Sequence, residues 1–276
     1  MAHRLGRLLA YVVLVLIALV GLAPFLILLL ISSKTKLGVL DVPPSLDIDW
    51  SVVRRNYEEV IVNKFFLRFL ENSIIVTSIS TLAALVLGVP AAYAFSRLNF
   101  KGRERWATTI LTFRFMPAVA VAVPIFLLIR TLNLLDTYLG LILPYVAFSL
   151  PLVVWIMIGF FDEVPREIDD AAMVDGCTRV SALWRVILPL VRPGLVVAAI
   201  FSVIFVWNEF LVGLFIVSTQ ETETIPIGAA GLITADRPID WNIAAAIGIF
   251  TVIPVFLFSL FVQKYIVRGV TSGAIS

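Results

Sequence analysis

The chain has 276 residues, of which 61% are hydrophobic and 14% charged, with a net charge of +2 at pH 7 and a mean hydropathy of +1.03. That apolar share exceeds what a water-soluble domain needs to fill its core, so the sequence belongs in a bilayer. Its basic residues are scattered between apolar runs rather than gathered into the patch nucleic acid requires. One cysteine, Cys177, and one histidine, His3, give neither a disulfide framework nor a Cys/His metal site.

Long apolar runs read as helices because every backbone amide in hydrocarbon must be satisfied within the chain, and about 20 residues cross about 30 Å. Six runs are visible, at residues 8–32, 73–95, 106–129, 138–161, 193–217 and 243–262, and four of them carry no charge. The first is too long for a signal-peptide core and no small-residue cleavage site follows it before Lys34, so it is expected to be a retained helix. Between the first two runs, residues 33–72 mix Asp41, Pro43, Asp47, Trp50, Tyr57 and Glu58 and suit a folded outer lip. Between the last two, residues 218–241 hold the small-residue run Gly228-Ala229-Ala230-Gly231, which fits either a short helix or a solvated connector.

Six spans put both termini on one side. Twelve lysines and arginines fall on that side, Arg97, Lys101, Arg103 and Arg105 among them, against eight on the other, six of which share one long segment. Short cytoplasmic loops carry such an excess, so both termini are expected to be cytoplasmic. The organisation expected is an N-terminal helix with its outer lip over residues 1–72, a five-helix core over 73–265 and a cytoplasmic tail over 266–276. Trp50, Trp106 and Trp241 fall where an interfacial aromatic belt is expected.

Residues 162–193 form a segment far longer than a tight helical hairpin needs, so it must have structure of its own. Asp162 is expected to cap a short helix with Pro165 in its first turn, and Gly176 to supply the left-handed stop. Ile168, Ala171 and Ala172 then share a face shallow enough for another protein to fit closely. Thr178 is expected to cap a second short helix that Pro189 ends.

This spacing resembles the signature loop of ATP-binding-cassette (ABC) importer permeases, in which Glu-Ala-Ala is followed after three residues by Gly and nine residues later by Ile-x-Leu-Pro. Here the loop reads Asp170-Ala171-Ala172, Gly176 and Val186-Ile187-Leu188-Pro189, with Asp for Glu and Val for Ile. Glu71-Asn72-Ser73, Ala91-Ala92-Tyr93-Ala94-Phe95-Ser96-Arg97, Phe115-Met116-Pro117, Trp207-Asn208-Glu209-Phe210 and the tail from Arg268 to Ala274 resemble the carbohydrate-uptake branch, notably its maltose- and trehalose-type permeases. The resemblance implies an all-α, polytopic membrane protein with the six-helix type I importer fold. It implies that Asp170, Ala171, Ala172, Gly176, Leu188 and Pro189 couple to a separate ATPase, and that Thr271, Ser272 and Gly273 reach the same interface. The implied partners are a second permease subunit, an ATPase dimer, an extracytoplasmic solute-binding protein and lipid, in a bacterial or archaeal cell membrane. The implied solute is a di- or oligosaccharide such as trehalose or maltose, with polyols and glycerol phosphates as alternatives.

The chain has no Gly-Lys pair and so no phosphate-binding P-loop. It is therefore expected to be non-catalytic and without a cofactor, ATP and magnesium being bound by the ATPase.

An ionisable group in hydrocarbon costs about 2.5–3.5 kcal/mol on insertion scales, so Arg114 and the Asn208-Glu209 pair need a reason to be there. Two readings stand. In one they line an aqueous translocation path; in the other Arg114 pairs with Glu209 or with a neighbouring subunit, and Asn208 bonds helix to helix. Trp155, Trp207, Phe115 and Phe126 are candidates for stacking on a sugar ring. An ion-driven secondary transporter would need inverted repeats and paired carboxylates within the membrane, whereas Glu209 stands alone.

Overall fold

The computed structural model describes residues 2–43, 45–62, 64–231 and 240–272, with the side chains of residues 2–5, 8, 64, 65 and 261–272 outside that description. Thirteen helical segments follow in order: α1 (Ala2–Ser32), α2 (Trp50–Val62), α3 (Lys64–Arg97), α4 (Arg103–Phe113), α5 (Ala118–Thr131), α6 (Tyr138–Asp162), α7 (Arg166–Val174), α8 (Arg179–Ala182), α9 (Leu188–Leu190), α10 (Arg192–Trp207), α11 (Leu211–Ile216), α12 (Ile225–Gly231) and α13 (Trp241–Ser272). A π-helical turn, Leu183–Ile187, joins α8 to α9. No strand occurs among the described residues.

Among the described residues four helices are long and apolar enough to cross a membrane. Two bent pairs, α4 with α5 at 93° and Arg179–Leu190 with α10 at 84°, bring the number to as many as six if each pair is one span. The third expected run, 106–129, is therefore not one straight helix. Pro117 lacks the N–H that would continue α4 and its ring disfavours a helical Met116, so the ladder stops after Phe113 and restarts with Pro117 capping α5. Pro90, Pro124, Pro144, Pro151 and Pro254 lie inside helices that stay continuous. The fifth run is also interrupted, at Asn208–Phe210, between α10 and α11. The helix expected at 73–95 begins nine residues earlier, at Lys64, because the outer lip is itself largely helical. Of the two readings of Gly228–Gly231, the helix is the one formed.

The chain divides into two compact units. In the first, Met1–Leu67 with Ala229–Val255, the apolar centre is Val60, Phe66, Ala246 and Ile247, with Tyr57 and Phe250 against it. Asn56 is buried there and satisfies three bonds, donating to the carbonyls of Ser32 and Lys34 at 2.9 Å and accepting from Asn242 at 3.1 Å. In the same unit Lys36 pairs with Asp240.

The second unit, Arg68–Gly228 with Phe256–Ser276, holds two apolar clusters. One gathers Ala92, Tyr93, Val153, Met157, Phe161, Leu183 and Ile187; the other gathers Val76, Ile129, Leu141, Tyr145, Val206, Val212 and Ile216. Gly194 lets α10 approach α6 closely: a Cβ there would lie 2.4–2.8 Å from the Phe160 side chain.

Two connectors of this unit are tied together by Asp136. Its backbone is left-handed (φ 55°), which aspartate tolerates better than most residues. Its carboxylate accepts from the Ser218 amide at 2.7 Å, the Ser218 hydroxyl at 2.9 Å and the Thr219 amide at 2.9 Å. Burial raises the pKa of this group, but the bonds from Ser218 and Thr219 together outweigh it and hold the carboxyl below its ordinary value.

Gly194→Val overpacks the α6–α10 contact and is expected to cost about 1–3 kcal/mol, read as a lowered Tm in detergent. Gly159→Ala, whose Cβ meets nothing within 4 Å, is the control and leaves Tm unchanged or raises it slightly. Asp136→Asn is expected to speed amide exchange at Ser218 and Thr219 about tenfold at neutral pH. Because the folded carboxyl titrates below its ordinary value, its contribution is present above that value and is lost as pH falls through the lowered one. Protection of the two amides in the unsubstituted chain, corrected for intrinsic exchange, should follow that course.

Candidate functional site

Two of the breaks in the helices of the second unit, after Phe113 and after Trp207, face one cavity. It measures about 520 Å³ and is lined by Arg114 from the α4–α5 break, by Asn208 and Glu209 from the α10–α11 break, and by Leu152, Phe201, Ile204, Phe205, Phe210 and Leu211. A few polar groups in a mostly apolar hollow of this size suit a small-molecule site, for which volumes of about 300–1,000 Å³ are usual.

The structure separates the roles of the three polar residues. Arg114 lays its guanidinium over the Phe205 ring, 4.5 Å from the centroid. Glu209 accepts from the amides of Val212 at 2.8 Å and Gly213 at 3.2 Å, so its carboxylate caps α11 at the positive end of the helix. Among the described residues Arg114 and Glu209 do not pair with each other. Asn208 donates to the Ile204 carbonyl of its own helix at 2.7 Å and, among the described residues, makes no side-chain bond to another helix.

None of the four aromatics named from the sequence lines this cavity. Trp207 is buried and Trp155 exposed, while Phe115 lines a separate hollow of about 440 Å³ with Thr109, Thr112, Phe113 and Met116. The aromatic wall is Phe201, Phe205 and Phe210, a set decided by the phase of α10 and its break at Asn208.

The long polar loop folds as two short helices. Pro165, not Asp162, stands at the cap of α7; Asp162 ends α6 and accepts from the Ser96 hydroxyl at 2.5 Å. Gly176 takes the expected left-handed conformation (φ 88°). Its amide donates to Met173 O at 3.1 Å and the Cys177 amide to Ala172 O at 3.0 Å, the paired bonds of a Schellman stop. Thr178 caps α8 by accepting from the Ser181 amide at 3.2 Å. Pro189 lies within α9 instead of ending the segment; the bend comes after it, at Val191.

Of the three residues expected on the open face of α7, Ala171 is exposed, whereas Ile168 packs against the cluster around Phe161 and Ala172 is buried. The free side carries Glu167, Asp170, Ala171 and Val174, the last 87% exposed. The helix turns this way because Asp169 is drawn inwards. Its carboxylate accepts from the Tyr93 hydroxyl at 2.5 Å and pairs with Arg97 at 2.9 Å, both charges being nearly excluded from solvent. Breaking such a buried pair on one side costs about 3–5 kcal/mol.

At the tail, helix α13 extends through Thr271 and Ser272, whose side chains are not described, and Gly273 lies outside the described residues.

The model of the family described as binding-protein-dependent transport system inner membrane component matches residues 84–272. The chain belongs to that family. The permease is 33% identical over 273 residues to the trehalose/maltose transport system permease protein MalG of Thermococcus litoralis, covering 98% of this chain and 97% of the relative. It is 34% identical over 255 residues to the sulfoquinovosyl glycerol transport system permease protein SmoH of Agrobacterium fabrum, covering 92% and 89%. A crystal structure of a bacterial ABC transporter that imports the acidic polysaccharide alginate contains a chain superposing with a TM-score of 0.80 at 24% identity, over 96% of this permease and 98% of that chain. The permease thus has the ABC importer transmembrane fold expected from its sequence.

Arg97 and Asp169 are the residues the sequence reading passed over. One signal was available: with two adjacent aspartates, Asp169 and Asp170, on a helix that has an apolar face, one must lie close to that face and need a buried partner.

Glu209→Ala leaves two amides of α11 without their acceptor and is expected to cost about 1–3 kcal/mol in thermal unfolding. Glu209→Gln keeps one acceptor oxygen and should lose less.

Proposed function

We propose that this permease forms half of the translocation path of an ATP-driven importer of a di- or oligosaccharide, of the trehalose or maltose kind. The observation that carries the solute class is the likeness to MalG along nearly the whole of both chains. The cavity at the two helix breaks supports it, since Asn208 and Arg114 offer hydrogen bonds and Phe201, Phe205 and Phe210 offer apolar faces to a sugar ring. A second reading, a sugar bearing a negative charge, is favoured by Arg114, whose guanidinium lines the cavity with no carboxylate paired to it among the described residues.

In this reading the other half of the path is a second permease subunit, and a solute-binding protein delivers the sugar on the outer side. The termini and the 162–193 loop lie in the cytoplasm. The exposed side of α7, with Asp170, Ala171 and Val174, docks in the ATPase, and Gly176, Leu188 and Pro189 set the geometry of the turn that follows. Thr271, Ser272 and Gly273 approach the same interface. The permease itself holds no nucleotide: ATP and magnesium stay on the ATPase, and a stiff capped helix passes that subunit's rotation to the spans.

Val174→Asp and Gly176→Asp each place a charge on the docking side and are expected to reduce co-isolation of the ATPase with the permease at least about tenfold. Undiminished co-isolation in both would refute the coupling assignment. Thermal shift of the cognate binding protein against neutral disaccharides, anionic sugars, polyols and amino acids decides the solute class. The expected result is a shift with a neutral disaccharide; a shift with amino acids alone would end the carbohydrate reading.

A further inference from the structure

The coupling helix is chained in sequence to α6 and α10, yet its densest polar attachment is to a different element, the end of α3. Tyr93 donates to Asp169 at 2.5 Å and Arg97 pairs with the same carboxylate at 2.9 Å. Arg97 also donates to the Val164 carbonyl at 2.7 Å, Ser96 donates to Asp162 at 2.5 Å, and Arg166 returns a bond to the Ser96 carbonyl at 3.2 Å. Helix α3 therefore grips α7 itself and the turn that leads into it. Neither Asp169 nor Arg97 can swing away cheaply, because each would leave the other charge buried and unpaired.

At its opposite end α3 is tied just as specifically. Asn72, fully buried, donates to the carbonyls of Glu221 at 3.0 Å and Glu223 at 2.8 Å and accepts from the Tyr138 hydroxyl at 2.7 Å. The next residue, Ser73, accepts from the Ile225 amide at 2.8 Å. These bonds hold the loop that leads from α11 into α12. Between the two anchor points α3 runs unbroken for about 37 Å at the usual helical rise.

We propose that α3 is the strut that carries movement of the coupling helix to the 217–225 loop, with Arg97, Asp169 and Tyr93 as positioning residues at one end and Asn72 and Ser73 at the other. The proposal rests on the coupling reading of α7 and adds to it the route. Force along a continuous helix needs only that both ends be fixed by groups that resist shear. A buried ion pair at one end and a fully bonded buried amide at the other meet that need. The turn between α6 and α7, residues 163–165, is a weaker conductor, since it has no helical ladder of its own.

The test uses the complete transporter in liposomes with a reporter at Gln220, which is exposed and lies in the tied loop. Gln220→Cys is labelled by a membrane-impermeant maleimide with and without ATP plus vanadate, against the unsubstituted chain, in which Cys177 is the one cysteine. With the α3–α7 attachment intact, nucleotide trapping is expected to change the labelling rate. In assembled complexes carrying Asp169→Asn or Tyr93→Phe that change should shrink at least about fivefold while the ATPase still co-isolates.

A full response in either assembled variant overturns the proposal, as does a reporter unmoved by nucleotide with the attachment intact. Should Asp169→Asn fail to assemble, Tyr93→Phe decides alone, since it deletes only one hydroxyl. A purely architectural role for the attachment would lower assembly and leave the nucleotide response of the surviving complexes unchanged. Co-isolation of Val174→Asp reads the coupling assignment separately, so failure of the route and failure of the docking face give different results.

Discussion

In hydrocarbon a backbone amide has no water to turn to, and that single constraint shapes the permease. It makes helices of the apolar runs and restricts irregular backbone to places where protein groups or a cavity can take up the freed amides and carbonyls. Two interruptions in the spans of the second unit, after Phe113 and after Trp207, meet that condition together. At one, Pro117 stops the ladder beside Arg114; at the other, Glu209 supplies the acceptors that the first turn of α11 would otherwise lack. Both breaks open on the same hollow. Glu209, which looks misplaced in the sequence, is therefore the residue that makes the non-helical backbone tolerable at the start of α11.

The same economy governs the loop of residues 162–193. Its two short helices are too brief to be stable alone, and they are held by caps, by Gly176, by packing of Ile168 against the cluster around Phe161 and by burial of Ala172. Asp169 decides which side faces out. A charge that must reach Arg97 and Tyr93 rotates the helix until Val174, Ala171 and Asp170 are left on the surface. An exposed valine on a helix otherwise bristling with carboxylates is a natural contact for a partner protein.

Local chemistry was the legible part of this site. The Gly176 stop and the Thr178 cap depend on hydrogen bonds within a few residues, so residue type and spacing were enough to place them. Which of Ile168, Ala171 and Ala172 stays exposed was not legible, because amphipathic spacing says which residues share a side, not whether that side meets the protein's own core or a partner. Which rings wall the cavity was not legible for a related reason: they are selected by the phase of α10 where it breaks.

The sequence by itself determined the membrane setting, the number of apolar runs, the Gly176 stop and Thr178 cap of the 162–193 loop and the family, because each rests on composition or on spacing along the chain. Tertiary structure alone decided which prolines break their helices. Pro117 does and Pro124 does not, since the neighbours of each settle whether a lost hydrogen bond can be made good. It alone brought Arg97 to Asp169 and Asn72 to the carbonyls of Glu221 and Glu223, pairs separated by 72 residues or more in the chain. Buried polar partners are chosen by proximity in the folded state, and no period in the sequence announces them.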